Sequence, residues 1–241
     1  AWHPDQISSP NDWTSRPSYL DDTMNIDLKK RRSLLCLAGL CTLPLPVLSA
    51  QESTLAKIRR EGFIRVGVAN EAPFSYADSS GRLTGESPAV FRHVMKELGV
   101  AQVDGVLTEW GALIPGLRAG RFDAIVASMY ITPKRCKQIL FANPTYGVGE
   151  ALIVRKGNPD RLHTYADAIA AGKKIAFIAG TAEIGHARLA GLEAGQQLIV
   201  PDFAAAVAAV KSSRVSAAAL TALTAGDLAS KDAAIERARP F

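Results

Sequence analysis

The chain has 241 residues, of which 48% are hydrophobic, 21% charged and 7% aromatic, an ordinary globular composition. Its formal net charge of +5 is spread along the sequence rather than clustered, which argues against a nucleic-acid groove. The four histidines are scattered and no zinc-type Cys/His spacing occurs, so no metal or other cofactor is expected.

Residues 1–23 are polar, Pro-rich and without apolar period, and read as a disordered or over-extended start. From Met24 the pattern changes to basic LKKRRS, apolar LLCLAGLCTLPLPVL and small Ser49-Ala50. This is the order of a secretory signal peptide over residues 24–50, with an apolar core too short and Pro-broken for a membrane span. Arg31-Arg32 also fits a twin-arginine signal, and cleavage is placed near Ala50. Cys36 and Cys41 fall inside this leader, and Leu40 is too large to precede a lipoprotein cysteine. Cys136 is then alone, so no intrachain disulfide is available and the apolar core must carry stability. Residues 1–50 hold five basic and five acidic residues, so the whole excess of positive charge belongs to the remainder.

After the leader, strand-like runs alternate with helical periods. FIRVGVA (63–69) predicts a buried strand, followed by the turn-rich stretch NEAPFSYADSSGRL. Ser87-Pro88 is the expected start of a helix over AVFRHVMKELG, ending at Gly99. QVDGVLTEW predicts a strand, GALIPGLRAG a short helix and FDAIVASMY a third strand. In the next segment, Thr132 suits a helix cap, Pro133 the first helical position, and Arg135 the first turn. A cation there opposes the helix dipole, so Arg135 faces either solvent or something anionic. The alternation resumes with strand EALIVRKG, helix TYADAIAAG, strand KKIAFIAG and a helix from Thr181. Strand QQLIV, helix DFAAAVAAVKSS, strand RVSAAAL and a helix over 222–232 complete it. The series is α/β, two mainly parallel sheets with flanking helices, joined near residues 145–157.

Ligands of open α/β sheets bind beyond the carboxyl ends of strands. Those ends carry Glu71, Phe74 and Tyr76; Trp110; Ser128, Tyr130 and Arg135; Gly180, Thr181 and Glu183; and Thr221. Aromatic residues gather at three of them, which suggests a shared cleft; Phe74 and Trp110 packing in the core is the alternative.

Four stretches carry a resemblance: GFIRVGVANEAPFSYADSSGRLTGE, WGALIPGLRAGRFDAIVASMYITPKR, FANPTY and IAFIAGTAEIGHA. They resemble periplasmic solute-binding proteins of polar amino-acid ABC importers (family 3). LTEWGALIPGLRAGRFDAIVASMYITPKRC and ALTALT are most similar to the ectoine/hydroxyectoine-binding members. The resemblance implies a two-lobed type II periplasmic-binding-protein fold, with lobe 1 at 51–148 and lobe 2 at 149–241. It also implies a C-terminal return to lobe 1, which is expected to be missing because the sequence stops at Phe241.

By the same resemblance Arg135 grips a ligand carboxylate, which a planar guanidinium does through paired charge-assisted bonds. Backbone amides near Ser128 and Tyr130, with Gly180 and Thr181 at a helix start, would add donors, although Thr181 is equally an ordinary N-cap. Amino-acid binders usually place an Asp late in lobe 2 for the ammonium; RVSAAALTALT holds only Thr221 there. Phe74, Trp110 and Tyr130 instead present three faces for a delocalised cation, with Glu71 as hydrogen-bond acceptor. The expected partners are a small zwitterionic solute and membrane permease subunits, in the periplasm. A binding protein for a polar amino acid is one alternative. An exported dehydratase-like enzyme is another, needing an acid or base for which only Glu71 and Glu183 qualify; neither has a partner visible in the sequence. A receptor's ligand-sensing domain is a third class and would carry a membrane-spanning helix.

Overall fold

A computed structural model describes residues 52–239; the extension, the leader and the last two residues lie outside the described range. Helix α1 (Thr54–Glu61) opens with the Ser53 hydroxyl accepting from Ala56 N and ends at Gly62, whose φ of +78° suits glycine. Strand β1 (Phe63–Val68) follows, then a short hairpin of β2 (Tyr76–Ala77) and β3 (Leu83–Thr84), strands not singled out within the turn-rich stretch. Helix α2 (Glu86–Glu97) starts one residue before the expected Ser87, and its cap is Gly85, not a side chain. Gly85 has φ +114°, and a Cβ there would stand 2.4 Å from Phe74 O, so only glycine can make this entry.

Strand β4 (Gln102–Leu107) leads through a single 3₁₀ turn at Trp110–Ala112 into helix α3 (Leu113–Arg118). The predicted third strand shrinks to β5 (Ala124–Ile125), because Ser128 takes φ +48° and turns the chain out of the sheet. Thr132 caps the one-turn helix α4 (Pro133–Cys136), with Pro133 in its first turn as the spacing predicts. The first sheet is parallel, in the order β4-β1-β5.

The remaining elements are β6 (Glu150–Arg155), α5 (Tyr165–Ala170), β7 (Ile175–Ile178), α6 (Glu183–Leu189), β8 (Gln197–Val200), α7 (Phe203–Lys211), β9 (Ala217–Thr221), α8 (Ala222–Lys231) and β10 (Ile235–Arg237). Thr164 and Asp167 form a reciprocal capping box on α5, and Asp202 caps α7. This sheet runs β10-β6-β9-β7-β8. β7 is parallel to β8 and β9, whereas β6 is antiparallel to β9 and β10, so the second sheet is mixed. A parallel entry needs a crossover helix, and an irregular segment after α4 brings the chain to β6 instead. β10 is an element the sequence reading did not anticipate.

One apolar cluster runs through both halves, joining Trp110, Leu113 and Phe122 with Ile153, Ile178 and Leu220. A second lies under α5 and α6 around Leu152, Tyr165 and Phe177, and a third under α1 and α2 around Val66 and Met95. Among the described residues no helix is long and apolar enough to cross a membrane.

Candidate functional site

The carboxyl ends of both sheets converge on one cavity. Glu71, Trp110, Ser128 and Tyr130 line it from the first half; Thr181, Glu183, Phe203 and Thr221 are among its walls from the second. It encloses about 20 Å³, room for about one water, so a solute of several heavy atoms enters only if the halves part.

Of the ten residues singled out in the sequence, seven line this cavity. Phe74, Arg135 and Gly180 do not. Phe74 is 2% exposed, and its ring stacks on Tyr146 at 5.8 Å with planes 5° apart. Gly180 takes φ +81°, and a Cβ on it would stand 3.0 Å from Gly111 Cα. The close approach that glycine permits here is between two backbone segments, one from each half.

Arg135 is 6% exposed, so the solvent-facing reading fails. Its guanidinium donates to Tyr130 O at 2.8 Å and to Gly180 O at 2.9 Å, tying the segment after β5 to the turn after β7. Burial pulls its pKa below the usual value, and nearby Glu183 partly offsets that. Residue spacing left solvent and an anionic partner both open for Arg135; the structure buries it, and the partners it meets are carbonyls.

Thr181 corrects another expectation. Its hydroxyl donates to Ile178 O at 2.9 Å, and its N–H donates to the same carbonyl at 3.2 Å. The cap of α6 is Ala182, which offers no side-chain oxygen. Neither Thr181 donor is therefore free for an anion.

Two acids dominate the electrostatics. Glu71 is 5% exposed and Glu183 4%. Thr221 caps α8 and donates at 2.8 Å to the Thr224 hydroxyl, which donates at 2.7 Å to Glu71 Oε1, forming a short relay. Burial pushes the Glu71 pKa up to about 8; Thr224 opposes this and Glu183 adds to it. Burial likewise pushes Glu183 up to about 7, with Glu150 adding its charge. Glu150 is itself held by the Tyr165 hydroxyl at 2.6 Å and pairs with His186 Nδ1. Neither acid's partner is a sequence neighbour: Glu71 meets Thr224 153 residues on, and Glu183 faces Glu150 on β6.

Trp110 is 7% exposed; it belongs to the central apolar cluster and also lines the cavity, so its two readings coexist. Its buried Nε1–H has no partner among the described residues. The Tyr130 hydroxyl donates to Val148 O at 2.9 Å. Ser128 Oγ meets Ser87 Oγ, so the expected capping serine instead braces the cavity wall.

Sequence reasoning missed Thr224, Tyr146, Phe203 and Glu150. Thr224 had a signal, lying three residues beyond Thr221 on the helix that β9 enters. Tyr146 sat in the quoted FANPTY stretch without a role. Phe203 and Glu150 had none, because their neighbours come from distant strands.

The profile of bacterial extracellular solute-binding proteins, family 3, matches residues 64–229. A probable amino-acid ABC transporter periplasmic-binding protein, y4tE of Sinorhizobium fredii, is 38% identical over 190 residues, 78% of this chain. This chain spans 63% of that relative's length. The crystal structure of EhuB in complex with hydroxyectoine aligns at TM-score 0.72 and 36% identity, covering 78% of this chain and 74% of EhuB. A mutant of arginine-bound ArgBP from T. maritima aligns at TM-score 0.70 and 26% identity, covering 76% of this chain and 84% of that one. Such structures share the two-sheet type II periplasmic-binding architecture seen here. A profile match over most of the chain and a cavity between two α/β halves agree: the chain belongs to the bacterial extracellular solute-binding proteins, family 3.

Proposed function

We propose that the protein captures a small zwitterion, ectoine or hydroxyectoine, between residues 51–148 and 149–241, and presents it to the permease subunits of an ABC importer. Capture takes place in the periplasm, reached through the leader at 24–50, and involves no catalysis. The observation that carries this reading is the cavity at the converging strand ends, walled by Trp110, Tyr130 and two buried acids. Aromatic faces attract a delocalised cation by roughly 0.5–2 kcal/mol each, and Glu71 accepts its N–H groups. Arg135 lies behind the wall, and parting of the halves would free its guanidinium from Gly180 O to meet a carboxylate. The similarity to EhuB bound to hydroxyectoine supports this choice of solute.

A polar amino acid is the second reading, favoured by the arginine-bound relative of similar fold. A dehydratase-like enzyme is weaker: Glu71 and Glu183 have the raised pKa values of acid–base groups, but the relatives compared above are binding proteins.

Calorimetric titration of the full chain with ectoine, proline, glycine betaine and arginine tests the reading. Ectoine should bind at least about a hundredfold more tightly than the others, a difference of roughly 2.7 kcal/mol. Trp110 is the only tryptophan after Ala50, so its emission should follow the same isotherm. Tight binding of arginine with no response to ectoine would replace this reading with the second.

A further inference from the structure

Glu71 follows β1 in the first half, and Glu183 opens α6 in the second. Both are more than nine-tenths buried, and both line the cavity. Glu71 Oε1 takes the Thr224 hydroxyl at 2.7 Å and has Thr221 at 3.4 Å; Oε2 has no hydrogen bond among the described residues. Glu183 accepts from its own backbone N–H; the Thr181 hydroxyl beside it is shared with Ile178 O, to which it donates at 2.9 Å. Among the described residues neither acid forms an ion pair.

The surrounding groups do not supply the missing charge. Arg135 is near Glu183, but two of its nitrogens donate to the carbonyls of Tyr130 and Gly180. Glu150 faces Glu183 with a third carboxylate, already engaged by Tyr165 and His186. Tyr130 commits its proton to Val148 O. The donors both acids do have are neutral hydroxyls and amides, and a buried carboxylate without an ion-pair partner is relieved further by a proton or by a cation.

Building on the proposed solute-binding role, we propose that Glu71 and Glu183 clamp the cationic end of the solute between the two halves, and that seating the cation displaces a proton from the pair into solvent. In each event a carboxylic O–H breaks, its proton passes to buffer, and the new carboxylate accepts an N–H of the solute cation. The pair therefore selects cations with N–H groups on two sides, such as a cyclic amidinium, a guanidinium or an ammonium. A quaternary ammonium has no N–H and satisfies neither acid. The raised proton affinities of both acids agree with this exchange.

The test is calorimetry on the full chain at pH 7 with ectoine and L-arginine, in two buffers of different ionisation heat. Whichever solute binds should release about 0.5–1 proton per molecule, and its affinity should fall as pH drops from about 8 to about 6. Glu183→Gln and Glu71→Gln should each weaken binding by about tenfold or more and reduce the proton release. Glycine betaine should give no binding heat. Binding without proton release, with Glu183→Gln unchanged, would overturn the clamp and leave the solute-binding reading standing. If neither probe binds, that reading fails, and the pair is judged in solute-free protein. The infrared difference between parent and Glu71→Gln at pH 7 should then show a protonated-carboxyl band; its absence would overturn the proposal.

Discussion

The two sheets of this protein differ in how completely they are sealed. In the second, β6 buries four consecutive residues and β7 all four of its residues, with helices and neighbouring strands around them. In the first, β4 has no fully buried residue, β5 is two residues long, and Leu107 at the end of β4 is 61% exposed. Yet the first half supplies Glu71, Trp110, Ser128 and Tyr130 to the cavity. Their positions depend on contact with the better-packed half, through Arg135 on Gly180 O, the Gly111–Gly180 approach and the shared apolar cluster. The less sealed half is held in register by the other, an arrangement suited to a cleft that opens and closes.

Core truncations in the two halves separate these roles most strongly. Phe177 is fully buried on β7, and Phe177→Ala should cost about 3–5 kcal/mol in urea unfolding. Leu107→Ala on β4 should change stability by less than about 0.5 kcal/mol. Comparable losses from both would mean that β4 is covered in solution and the contrast between the sheets is false.

Arg135→Ala probes the link between the halves. It removes two charge-assisted bonds to carbonyls and should cost about 1.5–3 kcal/mol, a loss that Arg135→Lys recovers only in part. An unchanged urea midpoint would show that the guanidinium carries no part of the link.

The last contrast is a dependence on pH. Both cavity acids are raised in the folded protein, so the native state binds more protons than the unfolded chain between about pH 4.5 and 8. Stability should therefore fall as pH rises through that window, by at most about 1.4 kcal/mol per pH unit for each proton. Carboxylates with lowered values, such as Asp78 at about 2, act with the opposite sign and only below the window. Urea midpoints at several pH values, in the parent and in Glu71→Gln, should show a shallower slope in the variant. A flat profile in the parent would mean that the acids are solvated and the first half lies open.

Local chemistry in the sequence was enough to place most elements. The apolar runs at 63–68 and 150–155 are strands; the caps at Thr132, Thr164 and Asp202 are where their residue types require them. The strand-end rule brought seven of the ten chosen residues to one cavity without any knowledge of pairing. Periodicity tells which face of an element is buried, but not what it is buried against. The antiparallel entry of β6, the addition of β10 and the shortening of β5 depended on partners distant along the chain. The same holds for chemistry: Arg135 meets Gly180 45 residues on, and Glu71 meets Thr224 153 residues on. The sequence placed these groups near strand ends. Only the tertiary structure decided their partners, because hydrogen bonding and desolvation depend on neighbours in space, and those alone turn two ordinary glutamates into a buried acid pair.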